Sequence, residues 1–379
     1  MRIPETIKAG LPAYTYFYTV GSVGFWLPLY AEGLGFSYTH ITLLATVYFA
    51  LITPSTVLSS IIVDALGNPS RVLALSMLGN GVATMLMPHT TSVTGLIALR
   101  ALQGISLAAS IPLTIGSLSI MHGVRRGVGI SVVLQGLGMA SGSLLGGILI
   151  DMLGYTGLFY SASILSIASA LLSYAWNFEY RGGGVEVLKY LKLIPLPVLI
   201  VVAVMAARNF FASGVFSVLT IIFKKLLGLG IGETGIALSI NPVMQTVTAL
   251  TVHDRVRGRE VHAYALGLAL TGIVFLMYLN ASGPLMIYAA QALLGTGFGL
   301  ASVAGNIYII SRSPREIRYT ASSLFTFAFN LGWVLGTLFA GPLMDAYSPQ
   351  AWVKASVIGS IIAGLSALSI LPVERRLNK

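Results

Sequence analysis

GMASGSLLGGILID, residues 138–151, and GWVLGTLFAGPLMD, residues 332–345, are one pattern written twice. Gly138, Gly142, Gly146 and Gly147 lead to Asp151, and Gly332, Gly336, Ala340 and Gly341 lead to Asp345. Each matched position is displaced by 194 residues (138 to 332, 142 to 336, 151 to 345), about half of the 379-residue chain. Residues four apart share a helix face, and small residues there let two helices approach closely in lipid. A face that returns half a chain later indicates a duplicated helical bundle.

Composition sets the class. Hydrophobic residues make up 56% of the chain and charged residues 9%, where a soluble domain carries about a quarter charged residues. With a mean hydropathy of +0.86, this chain cannot solvate a globular surface. The fold class is therefore an all-α integral membrane protein. A spanning helix needs ~20 apolar residues, which leaves room for about twelve spans. No segment alternates as a lipid-facing barrel strand does.

The formal net charge is +10, which in a soluble protein would suggest a nucleic-acid partner. Its placement excludes that reading. Basic residues gather in every second loop: Arg2 and Lys8, Arg71, Arg125 and Arg126, Arg181 to Lys192, Arg255 to Arg259, Arg312 to Arg318, and Arg375 to Lys379. The intervening loops hold little beyond Lys224, Lys225 and Lys354. This positive-inside pattern places both termini in the cytoplasm and requires an even number of spans. Cysteine is absent, so disulfides and thiolate metal sites are excluded. The first apolar run is long enough to span and shows no small-residue cleavage site, so it reads as a retained helix.

The predicted spans are 9–30, 38–62, 71–88, 92–117, 127–150, 155–176, 195–223, 232–252, 262–280, 283–309, 319–343 and 350–372. The stretch NFEYRGGGVEVLKYLKLI, residues 177–194, is the one conspicuous linker. It divides the chain into an N-terminal six-helix bundle (1–180), a cytoplasmic linker (181–194) and a C-terminal six-helix bundle (195–379), with a hinge at Gly182 to Gly184. The halves correspond beyond the glycine ladder: Asp64 with Asp254, Arg100-xxx-Gly104 with Gln291-xxx-Gly295, and Phe17-Tyr18 with Phe210-Phe211.

Several segments resemble the motifs of the major facilitator superfamily. Ser60 to Gly67 with Arg71 is similar to that family's cytoplasmic loop motif, with Ser60 in place of its first glycine. Arg100-Ala-Leu-Gln103-Gly104 resembles the fourth-helix motif. The ladder from Gly138 to Gly147 resembles the fifth-helix antiporter motif, with Ser143 in place of proline, and Pro28 resembles the end of the first helix in drug-efflux members. The chain is thus similar to the drug:proton antiporter branch over nearly its whole length. The resemblance implies the major facilitator fold, with two pseudo-symmetric six-helix bundles and alternating access. It also implies a gating role for Asp64, Gly67 and Arg71, which Asp254 repeats, and a coupling role for Arg100 with Gln103. Secondary transporters built from repeats hold cargo at the repeat interface near mid-membrane.

Arg208 is the sharpest single signal. It stands beside Asn209 near the middle of the seventh span, where a guanidinium costs at least ~2.5–3.5 kcal/mol on insertion scales. No Asp or Glu occupies the middle of any span. Arg208 is either a cavity group for acidic cargo or a packed arginine satisfied by carbonyls. Arg100 is either a coupling residue or a structural tie between helices. The ladder residues need only pack closely. Asn241, ahead of the helix-bending Pro242, joins Gln135 and Tyr18 as a further candidate cargo contact. Asn80, Gln245, Gln291, Asn306 and Asn330 are polar by location.

The five histidines form no i, i+4 pair, and the chain has neither an HExxH sequence nor a P-loop. No catalytic residue, metal or cofactor is expected. The expected function is secondary transport of a small molecule, of the efflux antiport type with protons as coupling ion. An organic-anion uniporter or symporter using Arg208 is the alternative, and a non-transporting receptor is a third reading. A multi-pass monomer in the plasma membrane, with lipid and cargo as its partners, completes the expectation.

Overall fold

The computed structural model describes residues 4–66, 68–176, 194–252, 255–313 and 318–377. These form helices throughout, in the order α1 (5–33), α2 (Tyr38–Leu66), α3 (Pro69–Leu86), α4 (Val93–His122), α5 (124–153), α6 (155–176), α7 (Leu196–Phe216), α8 (Ile231–Thr251), α9 (Glu260–Leu279), α10 (Pro284–Arg312), α11 (Arg318–Ala346) and α12 (Pro349–Ser366, running on to Leu377). Each coincides with a predicted span to within about five residues, except that α7 ends at Phe216 where the predicted span runs to 223. Caps rather than hydropathy set several starts: the side chains of Asn68, Ser92 and Ser348 accept from the backbone N–H three residues on, satisfying a donor that the first turn leaves open. Most of the linker, residues 177–193, lies outside the described residues, and with it the predicted hinge.

Hydropathy does not reveal three local features. α1 contains a π turn at Val20–Gly24. α7 is prolonged past its apolar stretch by a short helix, Leu219–Ile221, and a π turn, Ile222–Leu226. α5 and α6 meet at Gly154, whose φ of 69° lies in the left-handed region that glycine adopts without steric cost. Large apolar side chains such as Leu75, Met152, Ile164, Leu171 and Ile358 stand exposed on the helix surfaces, as expected where the solvent is lipid.

Two compact units divide the chain. The first takes α1–α6 with Val218–Pro242, and the second takes α7 to Ser217 and everything after Pro242. The start of α8, which the sequence groups with the second bundle, thus packs with the first unit. In the first unit the glycine ladder of α5 lies against the backbone of α1. A β-carbon on Gly138 would strike the carbonyl oxygen of Tyr14, and one on Gly142 that of Tyr18. The Trp26 indole donates to the Ser143 carbonyl at 3.2 Å. Gly147 faces the carbonyl of Ile231, at 3.0 Å from its would-be β-carbon, and the backbone of Gly235. In the second unit α11 repeats this against α7: Gly332 faces the carbonyl of Ala206 at 2.5 Å, measured the same way, and Gly336 faces that of Phe210. Gly341 is buried.

Candidate functional site

In the first unit a buried polar network runs through five helices. Asn80 on α3 donates to Thr19 on α1 (3.1 Å) and to Ser166 on α6 (2.7 Å). Gln103 on α4 donates to Asn80 Oδ1 (3.2 Å) and to Thr84 Oγ1 (2.8 Å). Its own Oε1 accepts from Arg100 Nη1 at 2.7 Å. Arg100 also donates from Nε to the Leu44 carbonyl on α2 at 3.4 Å, and its guanidinium carbon lies 4.3 Å from the centre of the Tyr48 ring. Asn80, Gln103 and Thr84 are fully buried, and Arg100 nearly so. Both heteroatoms of each amide are satisfied, as a buried polar group requires.

The second unit holds its arginine on a different helix. Arg208 on α7 is 2% exposed and Asn209 is fully buried. Arg208 donates to Thr271 Oγ1 on α9 from Nε (3.1 Å) and from Nη2 (2.9 Å), and to Asn209 Oδ1 from Nη1 (2.8 Å). Three of its five N–H groups thus find acceptors among the described residues. The guanidinium also lies over two aromatic rings, Phe298 on α10 at 5.3 Å and Phe216 at the end of α7 at 5.7 Å, a favourable cation–π arrangement. No carboxylate among the described residues pairs with Arg208 or Arg100. The Nδ2 of Asn209 and both amide atoms of the fully buried Gln291 have no partner among the described residues.

The other predicted site residues scatter. Tyr18, Gln135 and Asn241 belong to the first unit. The Tyr18 hydroxyl pairs with that of Ser161 at 3.3 Å, and Gln135 Nε2 donates to Ser131 at 3.0 Å. Asn241 is half-buried in α8, which continues through Pro242 as one helix. Arg71 is exposed, and its backbone N–H is capped by Asn68 at 3.0 Å. Gly67, Asp254 and the side chain of Asp64 lie outside the described residues. Thr271 is the partner that sequence reading missed. A signal for it existed: the displacement of 191 that relates Arg100 to Gln291 also relates Asn80 to Thr271.

Apolar helices in two units, each closed around a buried arginine and packed by a repeated glycine ladder, define a multi-pass membrane protein built by duplication. The chain belongs to the Major Facilitator Superfamily, whose sequence pattern matches residues 13–252 and 198–379. It is a membrane transporter of small molecules, not an enzyme. An uncharacterized MFS-type transporter of Methanocaldococcus jannaschii is 24% identical to it, over 95% of this chain and 97% of that protein. Among solved structures, a point mutant of the nucleoside transporter NupG superposes with a TM-score of 0.84 at 12% identity, over 97% of this chain and 100% of that one. A bacterial homolog of the human lysosomal transporter Spinster, inward-facing and occupied, gives 0.79 at 13% identity, over 97% and 96%.

Proposed function

We propose that this transporter carries a small organic anion by alternating access, with Arg208 and Asn209 as cargo contacts. The observation that carries this reading is the pair of buried guanidiniums, Arg100 and Arg208, neither matched by a carboxylate among the described residues. A desolvated positive charge is stabilised by a negative group, and a cationic cargo beside it would be repelled. Among the described residues Arg208 retains two N–H groups without an acceptor, and Asn209 retains an amide donor. Arg100 has the role of a brace: its donors are directed to Gln103 and the Leu44 carbonyl, within a network that ties five helices together. An arginine does not exchange protons near neutral pH, so proton coupling through either arginine is disfavoured.

The glycine ladders support a second reading, efflux by exchange. They are surfaces on which α5 can slide against α1, and α11 against α7, without side chains in the way. In both readings the protein is a plasma-membrane monomer with cytoplasmic termini, and protons are the coupling ion of the exchange reading.

The deciding experiment is flux into proteoliposomes containing a trapped pH dye, with lipophilic cations and organic anions offered at equal concentration to wild type and Arg208→Ala. Anion flux that disappears in Arg208→Ala supports the proposal. Cation-driven proton movement that survives the substitution sinks it and leaves drug–proton exchange.

A further inference from the structure

Around Arg208 the aromatic contacts close into a circuit. Phe216 on α7 stacks on Trp333 of α11, with centroids 6.0 Å apart and planes at 27°. Trp333 contacts Phe329 on the same helix at 6.4 Å, and Phe329 contacts Phe298 on α10 at 5.9 Å. Phe298 and Phe216 then both lie against the guanidinium, at 5.3 and 5.7 Å. All four rings are half-buried, whereas Arg208 and Asn209 are buried. Each of the four aromatic residues is therefore only partly covered by protein, whereas Arg208 and Asn209 are enclosed.

We infer that this circuit is a binding site for a planar aromatic carboxylate. The inference rests on the anion reading above and adds the shape of the cargo. Aromatic rings pair favourably offset or edge-on, at centroid separations of about 4.5–7 Å, so the partly covered cluster of Phe216, Phe298, Phe329 and Trp333 offers a further ring aromatic partners. Its carboxylate meets the two N–H groups of Arg208 and the Nδ2 of Asn209 that have no partner among the described residues. A cage of this composition would suit a cation if it were empty. Here it already contains one, fixed by Thr271, so the entering group must be neutral or negative where it meets Arg208. An aliphatic anion would satisfy the charge but gain no ring stacking from the aromatic cluster.

The test reconstitutes the full chain and compares uptake of benzoate, 2-naphthoate and cyclohexanecarboxylate against protein-free liposomes, at a pH where all three are ionised. Benzoate and cyclohexanecarboxylate match in charge and nearly in size and differ in planarity. The expected result is uptake of both aromatic acids about tenfold faster than of cyclohexanecarboxylate, the ratio that ~1.4 kcal/mol of ring stacking corresponds to. This preference should fall in Phe298→Leu and return in Phe298→Tyr. Equal uptake of all three overturns the aromatic site while leaving the anion reading intact. No uptake of any of them overturns both. The wild-type comparison is decisive even if Phe298→Leu does not fold.

Discussion

Gly142 faces the carbonyl oxygen of Tyr18 so closely that a methyl group cannot be placed between them. The contact is backbone to backbone, so no side-chain rotation can relieve an added atom. Gly336 stands in the same way against the carbonyl of Phe210 in the second unit. The ladder is therefore a requirement of helix approach within each unit, and its glycines differ in this from glycines that face open space elsewhere in the helices.

Gly142→Ala and Gly336→Ala should each lower thermal stability by about 1–3 kcal/mol, the range for forcing atoms into a packed interior. Gly116 and Gly129, in α4 and α5, have nothing within 4 Å of a would-be β-carbon. Their alanine variants should be neutral or stabilising by up to about 1 kcal/mol, because alanine restricts the helix backbone less unfavourably than glycine. Melting curves of the four purified variants in detergent would check this. Equal losses at all four would remove the distinction.

Gln103 is the hub of the first network, so Gln103→Leu leaves Arg100 Nη1, Asn80 Oδ1 and Thr84 Oγ1 short of partners. Each buried group left unsatisfied costs about 1–3 kcal/mol, and more when charged. Gln103→Leu should therefore fail to yield a monodisperse protein by fluorescence-detected gel filtration. Gln103→Glu retains an acceptor for Arg100 and should be recovered in greater yield.

Thr271 supplies one oxygen to two guanidinium donors. Thr271→Val keeps the shape and removes that oxygen, so among the described residues Arg208 would retain only Asn209 as a hydrogen-bond acceptor. A melting temperature clearly below wild type is expected for Thr271→Val and one near wild type for Thr271→Ser, with a gap of about 1–3 kcal/mol between them. If the two variants melt together, Arg208 is held by something other than this bond.

Gln291 is fully buried with neither amide atom partnered among the described residues. Replacing such a group by an apolar one of similar shape removes a desolvation penalty of about 1–3 kcal/mol. Gln291→Met should raise the melting temperature. If flux falls at the same time, the amide is retained for cargo rather than for folding.

Lys225, beyond the apolar stretch of α7, contacts Glu32 at the end of α1. The Glu32 carboxylate raises the Lys225 pKa. A raised amine pKa stabilises the folded state at pH values below the unfolded lysine value, and that contribution is lost as pH rises through the folded one. Because both groups are solvent-accessible, the gain is small, about 0–1 kcal/mol. The difference in melting temperature between wild type and Glu32→Gln should therefore be modest at neutral pH and vanish in strong alkali.

The sequence alone determined the helical membrane class, the spans and the duplication, because each is a local or periodic property. Twenty apolar residues must span as a helix in lipid, since no water satisfies the backbone there. Small residues at a spacing of four mark a packing face wherever it docks. Arg208 and Arg100 were legible for the same reason, as charges in apolar runs. Only the tertiary structure decided what those charges touch. Thr271 lies 63 residues from Arg208, and Phe298, Phe329 and Trp333 lie on two further helices. Nothing in the composition of an apolar helix says which of its faces meets another. The same holds for Val218–Pro242, which the linker position assigns to one half and side-by-side packing groups with the other. Contact between distant segments depends on how helix faces fit in space, and a linear pattern carries that only where a repeat betrays it, as the displacement from Asn80 to Thr271 does.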